Sequence, residues 1–224
     1  MAKATVEDGY ALVLEDIAEL IGEGRRRAAH VVNVAMTATY WQIGKRIVEA
    51  EQRGAARADY GEELIERLSR DLSRRAGRGF GARNLAHMRR FFLTYPHGST
   101  NILQTASAKS GGDILQTLSA KSSNVVESQG MAAFPLPWSH YTLLLAVKNE
   151  NARRFYEAEA LRGGWTFRQL ERQIDTQFYE RAAMTTNKDA MLRKGEKPRP
   201  EDAITPEEQI RDPLVLEFLD LKDE

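Results

Sequence analysis

The chain has 224 residues, 42% of them apolar and 29% charged, with 32 Lys and Arg against 32 Asp and Glu and no cysteine. That composition excludes a wholly disordered chain, and the missing thiols exclude a disulfide framework, a thiolate zinc site and a cysteine nucleophile, as suits a reducing cytoplasm. No run reaches the roughly 18 apolar residues of a membrane span and no basic-then-apolar signal opens the chain, so the expected location is cytoplasmic.

The apolar period indicates helix almost throughout. Residues 6–21 place Leu12, Leu14, Ile17, Leu20 and Ile21 on one expected buried stripe, with Gly22 and Gly24 as the predicted stop. A second helix is predicted over 25–53, with Val31, Val34, Trp41, Ile43, Ile47 and Val48 inward, ending at Gly54. Asp59 followed by Glu62 reads as the capped start of a third helix that buries Leu64, Ile65, Leu68 and Leu72. After the Gly77 to Gly81 loop, a fourth helix over 82–95 carries Leu85, Met88, Phe92 and Tyr95 on one face.

Residues 97–134 break the pattern. They are rich in Ser, Thr, Gly and Ala and contain a short duplication, ILQTASAKS at 102–110 and ILQTLSAKS at 114–122. Two copies are too few for a solenoid, so the segment reads as a tolerant loop, with a small β-hairpin permitted by its Thr and Ile positions. Regularity resumes at Pro135. Ser139 is the expected cap of a helix to Val147, and Asn149 to Asn151 is the next turn. A helix over 150–162 then ends at Gly163-Gly164, and the Thr166 to Gln169 capping box opens a helix predicted to run unbroken to Arg181. From Thr185 the chain reads as an acidic linker ending in a short apolar docking segment, Pro213 to Leu219. The expected organisation is therefore 1–96, a helical unit with a first helix-turn-helix-like element; 97–134, a flexible loop; 135–184, a second, tri-helical unit; and 185–224, linker and docking segment.

Little supports nucleophilic or metal chemistry. His30, His87, His97 and His140 are far apart in sequence, with no spacing that presents two imidazoles to one cation. The glycines at 77, 79 and 81 follow no strand, so the dinucleotide fingerprint fails on context. Asp220-Leu221-Lys222 contains the end of a nuclease-like metal motif but has no upstream strand carboxylate to work with. No cofactor and no metal are expected.

Charge is unevenly spread. Residues 67–90 hold eight arginines and one acid, whereas 195–224 hold four basic and ten acidic residues. Two segments also align without a gap: Gly79-Phe80-Gly81-Ala82-Arg83-Asn84-Leu85 and Gly164-Trp165-Thr166-Phe167-Arg168-Gln169-Leu170. Each reads glycine, aromatic, small cap, any residue, arginine, carboxamide, leucine at a predicted helix start. The aromatic and leucine would anchor the helix and leave arginine and amide outward, where Arg, Asn and Gln suit phosphates and base edges. The candidate nucleic-acid contacts are Arg83, Asn84, His87 and Arg90 on the first element and Arg168, Gln169 and Arg172 on the second, with Arg74, Arg75 and Arg78 on phosphate.

Further segments carry a family resemblance: Tyr40-Trp41-Gln42-Ile43-Gly44-Lys45-Arg46-Ile47, Tyr60-Gly61, Leu68-Ser69-Arg70-Asp71-Leu72, Met88-Arg89-Arg90-Phe91, Pro137-Trp138-Ser139-His140-Tyr141 and Arg154-Phe155-Tyr156. Together with the two matched starts, they resemble the N-terminal domain of the YhcG-type bacterial proteins, across nearly the whole chain outside the central loop. The resemblance implies a winged-helix-like, DNA-binding domain that precedes a PD-(D/E)xK nuclease domain, with Pro213 to Leu219 similar to the junction. Gly81 departs from the family, which more often has a serine cap there. Because the resemblance places the catalytic carboxylates and lysine beyond Glu224, the expectation is that this chain is not itself an enzyme.

The expected fold is all-α or nearly so, a helical bundle with two helix-turn-helix-like units. The expected role is a nucleic-acid-binding, most simply duplex-DNA-binding, targeting module of a bacterial nuclease system, lacking the catalytic domain and partnered by a nuclease domain or subunit. The alternative is a protein-interaction or oligomerisation domain, its amphipathic helices docking a partner or a second copy.

Overall fold

The computed structural model describes residues 2–53, 60–76, 78–98, 134–185, 195, 199–202 and 215–216, with side chains from residue 10 onward except those of 60, 78 and 201. Among these residues the chain is all-helical, without a strand. The helices are α1 (Ala2–Arg53), α2 (Tyr60–Ala76), α3 (Ala82–Thr94), α4 (Trp138–Ala146), α5 (Glu150–Gly163), α6 (Phe167–Asp175) and α7 (Phe178–Met184), with short 3-10 turns at Arg78–Phe80 and Pro200–Asp202. The duplication, the permitted hairpin, the Asp59 cap and most of the acidic tail lie outside the described residues.

Contrary to the expected stop at Gly22 and Gly24, α1 is one continuous helix of 52 residues. A terminating glycine would take positive φ, and among described glycines only Gly98 and Gly164 do so. A helical glycine costs about 1 kcal/mol relative to alanine, too little to end a helix whose other residues favour it. The expected burial of Leu12, Leu14, Ile17, Leu20 and Ile21 is corrected as well: all five are exposed. Val31 is exposed too, and apart from Ala29 the helix becomes buried only from about Met36.

The second half of α1 forms the floor of the core. Met36, Tyr40, Trp41 and Ile47 pack with Leu85, Met88 and Phe91 of α3. The crossing is close because residue 44 is glycine, where a Cβ would overlap the Met88 carbonyl. Phe91 is the centre of an aromatic cluster, with ring centroids 4.7 Å from Phe134, 4.8 Å from Tyr141 and 5.3 Å from both Tyr95 and Trp138. Such pairs add about 0.5–1.5 kcal/mol each beyond area burial.

A polar staple joins four elements at this core. The Glu157 carboxylate of α5, fully buried, accepts hydrogen bonds from Tyr95 Oη at 3.0 Å and Tyr141 Oη at 3.1 Å. Trp41 Nε1 of α1 donates to the Tyr95 carbonyl at 2.8 Å. Burial and the adjacent Glu157 charge push the Tyr95 phenol well above its usual range, which keeps it a donor.

In the second unit, α4 starts at Trp138 with Pro137 at the N-cap, so Ser139 lies inside the first turn instead of capping it. The fully buried Trp138 ring fixes that start. The Asn149 carboxamide oxygen caps α5 by accepting from Asn151 N at 2.9 Å and Ala152 N at 3.3 Å, and Gly164 closes the helix in the left-handed region at φ 58°. Thr166 Oγ1 caps α6 through Gln169 N at 3.2 Å. The predicted unbroken helix to Arg181 is corrected: α6 ends at Asp175, and Gln177 takes φ 52° before α7 begins. Tyr156 Oη spans the break, accepting from Tyr179 N at 3.1 Å and donating to the Gln173 carbonyl at 3.3 Å. The kink delivers Phe178 into the core beside Trp165 and Phe155.

Candidate nucleic-acid interface

The outer face of α3 is the strongest cluster of predicted contacts. Leu85, Met88 and Phe91 are buried, so Arg83, His87 and Arg90, at steps of four and three, fall on the opposite side. Arg83 and Arg90 are exposed and His87 is half-buried. Burial first, then the positive fields of Arg83 and Arg90, lower the His87 pKa, which places all three groups in one electrostatic neighbourhood. The helix contains no acidic residue, and its N-cap, Gly81, provides no side-chain hydrogen bond. Arg89 faces elsewhere and is held by Glu51 at 2.7 Å.

The α2 helix packs against α3 and against the intervening 3-10 turn. Its half-buried stripe is Ile65, Leu68 and Leu72, leaving Arg67, Arg70 and Arg74 together on the outer face and Arg75 exposed at the flank. Arg67 and Arg70 were absent from the candidate set, although their spacing from Arg74, three and four residues apart in turn, was readable in the sequence. The Arg78 side chain lies outside the described ones.

The carboxamides are not outward. Asn84 Nδ2 donates to the Gly79 carbonyl at 2.6 Å, and Asn84 Oδ1 accepts from Trp138 Nε1 at 3.2 Å. Gln169 is buried and its Nε2 donates to the Gly195 carbonyl at 3.1 Å, an acceptor shared with Gln173. Arg172 is likewise engaged, pairing with the buried Asp202 carboxylate at 2.5 Å. The expectation that Asn84, Gln169 and Arg172 project toward a ligand is therefore corrected: in both units the amide satisfies backbone and indole groups that would otherwise be buried without partners.

The two matched helix starts thus differ at the surface. Arg168 is exposed, but Glu171 and Asp175, three and seven residues further along α6, are exposed with it, so that face is not basic. Elsewhere, an open apolar groove between α1 and α2, lined by Ile43, Ile47, Leu64, Leu68 and Leu72, offers no acid or base pair for catalysis. Among the described residues no three His, Asp or Glu side chains gather as metal ligands, and no helix is long and apolar enough to cross a membrane.

Fold and surface define an all-helical protein whose most coherent charged feature is one arginine- and histidine-lined helix face. Residues 16–181 match the DUF1016 N-terminal domain, and the chain belongs to that family. It is also 50% identical over 219 residues to an Escherichia coli (strain K12) protein named "Putative nuclease YhcG", an alignment covering 96% of this chain and 57% of that relative. The chain therefore spans a little over half the length of the curated relative it matches. No solved structure matches. The similarity supports the YhcG-type resemblance and overturns the expectation that the chain is not an enzyme, because a relative this similar over nearly the whole chain bears a nuclease's name.

Proposed function

We propose that this chain is the duplex-binding part of a nuclease, with α2, the 3-10 turn and α3 acting as a helix-turn-helix-like unit and the outer face of α3 as its contact surface. One observation carries the reading: Arg83, His87 and Arg90 share an acid-free face on a helix whose N-terminus has no side-chain cap. Guanidinium groups bind phosphate oxygens and guanine edges, and uncapped backbone N–H groups at a helix start favour an anion. Arg74, Arg75 and Arg78 extend the phosphate footprint. Arg168 contributes less, because Glu171 and Asp175 share its face. In this reading nucleic acid is the substrate of the nuclease, and this surface holds it.

The test is a salt titration of duplex-DNA binding by the full chain and by an Arg83→Ala/Arg90→Ala variant. Removing two phosphate contacts makes the slope of log K against log salt shallower by about 2 and weakens binding at every sequence tested. Both side chains are exposed, so thermal stability stays close to that of the unmodified chain. Arg168→Ala produces a smaller change. A double variant with unchanged affinity and slope would refute the assignment.

A further inference from the structure

The first half of α1 carries an apolar seam that nothing among the described residues covers. From Tyr10 to Ala35 the seam advances in alternating steps of four and three residues without one charged side chain, the period of a two-helix coiled coil. Its large members, Tyr10, Leu14, Ile17, Ile21 and Val31, are between 49% and 70% exposed. Side chains of this kind are normally paid for by burial, and a contiguous stripe of them on a helix marks an interface.

We infer that this seam pairs with the same seam of a second copy of the chain, antiparallel, to form a two-helix coiled coil. Size chooses the orientation. Bulky residues occupy the first half of the seam and small ones the second. An antiparallel register opposes Tyr10 to Ala35, Leu14 to Val31, Ile17 to Ala28 and Ile21 to Gly24, so a large side chain meets a smaller one in every layer. A parallel, in-register pair would instead stack Tyr10 on Tyr10 and Gly24 on Gly24, crowding one end and leaving the other empty. Gly24 has open space around it, with no atom within 4 Å of where a Cβ would be apart from its chain neighbours and the backbone of its own turn, so the facing Ile21 has room to enter.

Charge agrees with size. Residues 15–23 contribute Glu15, Asp16, Glu19 and Glu23, and basic residues follow directly at 25–27, so only the antiparallel arrangement lays the acidic stretch of one copy along the basic stretch of the other. Asp16 and Arg27 border the seam on the same side, and in this register they lie about 3 Å apart along the axis. Arg27 contacts Glu23 of its own helix at 3.9 Å, both being well exposed, and a guanidinium has donors for a second carboxylate.

The inference is independent of the duplex-binding reading and is tested without DNA. Sedimentation of the full chain at micromolar concentration is expected to give a dimer, and Ile17→Asp/Ile21→Asp a monomer with unchanged helical content. Because the chain has no cysteine, orientation can be read by oxidation. Tyr10→Cys chains mixed with Ala35→Cys chains cross-link to each other, whereas Tyr10→Cys chains alone do not, since the two sites then lie about 38 Å apart. A monomeric unmodified chain, a dimer that survives the double aspartate variant, or self-cross-linking of Tyr10→Cys would each overturn it.

Discussion

His140 lies buried in α4 with Nε2 2.8 Å from the Trp165 carbonyl oxygen, so the ring donates there as the neutral tautomer. Burial pushes its pKa below the usual imidazole value, only partly opposed by that hydrogen bond. In the unfolded chain the same ring takes up a proton near pH 6.5. Below that pH the unfolded state binds more protons, and stability falls as pH drops toward the lower folded value. Thermal melts are expected to show this loss between pH 7 and pH 5, at no more than about 1.4 kcal/mol per pH unit from this group, and His140→Gln is expected to flatten the profile. A profile that His140→Gln leaves unchanged would remove His140 as the cause. The same scale shows what the sequence could and could not reveal at the candidate site. The repeated glycine, aromatic, arginine, carboxamide and leucine pattern correctly marked two equivalent helix starts, because the leucine and the glycine-aromatic turn are packing features with local signatures. The direction of each amide was not readable. It depends on Trp138 and Gly195, which lie 54 and 26 residues away from the amides they meet.

Helix positions followed from periodicity over most of α2 to α5, since each of these segments buries one apolar stripe, although α3 turns Phe91 fully into the core and leaves the expected Phe92 half-buried. The departures occur where tertiary contacts decide. Nothing local distinguishes Gly22, which continues a helix, from Gly164, which ends one; Gly164 is held in its left-handed conformation by the turn that delivers Trp165 to the core. The break before α7 arises in the same way, from Phe178 and the Tyr156 hydroxyl. Glycines within α1 therefore have opposite expected responses to one substitution. At Gly44 a methyl group would overlap the Met88 backbone carbonyl, which cannot swing aside as a side chain can, so α1 and α3 must separate. Gly44→Ala is expected to cost about 1–3 kcal/mol, lowering the melting temperature by several degrees. At Gly22 the nearest atom to such a methyl is the Arg26 guanidinium, at 3.5 Å, and Gly22→Ala is expected to gain about 0.5–1 kcal/mol from helix propensity. Melts followed by circular dichroism compare the two, and equal shifts would contradict the close α1–α3 crossing.

Across the whole molecule, a net charge of zero conceals a difference between the two matched helices: acids share the faces of α6, whereas α3 carries none of its own. Asp202 from the acidic tail is paired with Arg172 of α6. Burial opposes ionisation of its carboxyl, yet the Arg172 side chain and the Arg199 backbone N–H hold its pKa below the usual range. Gly195 and Val215, from the same stretch of chain, are buried against the core, with Gly195 against Phe178. The second matched helix start is thereby partly occupied by the protein's own chain, while α3 keeps Arg83 and Arg90 at the surface with no acid on the helix. With no net charge there is little long-range attraction to a polyanion, so salt dependence should report local contacts alone. Four exposed arginines, Arg74, Arg75, Arg83 and Arg90, correspond to a slope of about −3.6 for one copy on B-form DNA. If two copies joined through α1 engage one duplex, the slope is expected to approach roughly twice that value. The Ile17→Asp/Ile21→Asp chain, which retains all four arginines, then returns to the single-copy slope and loses the affinity gained by tethering the second surface. Titrations of both proteins against a long and a short duplex separate these contributions. A long-duplex slope near zero for either protein would exclude α2 and α3 as the phosphate-binding surface.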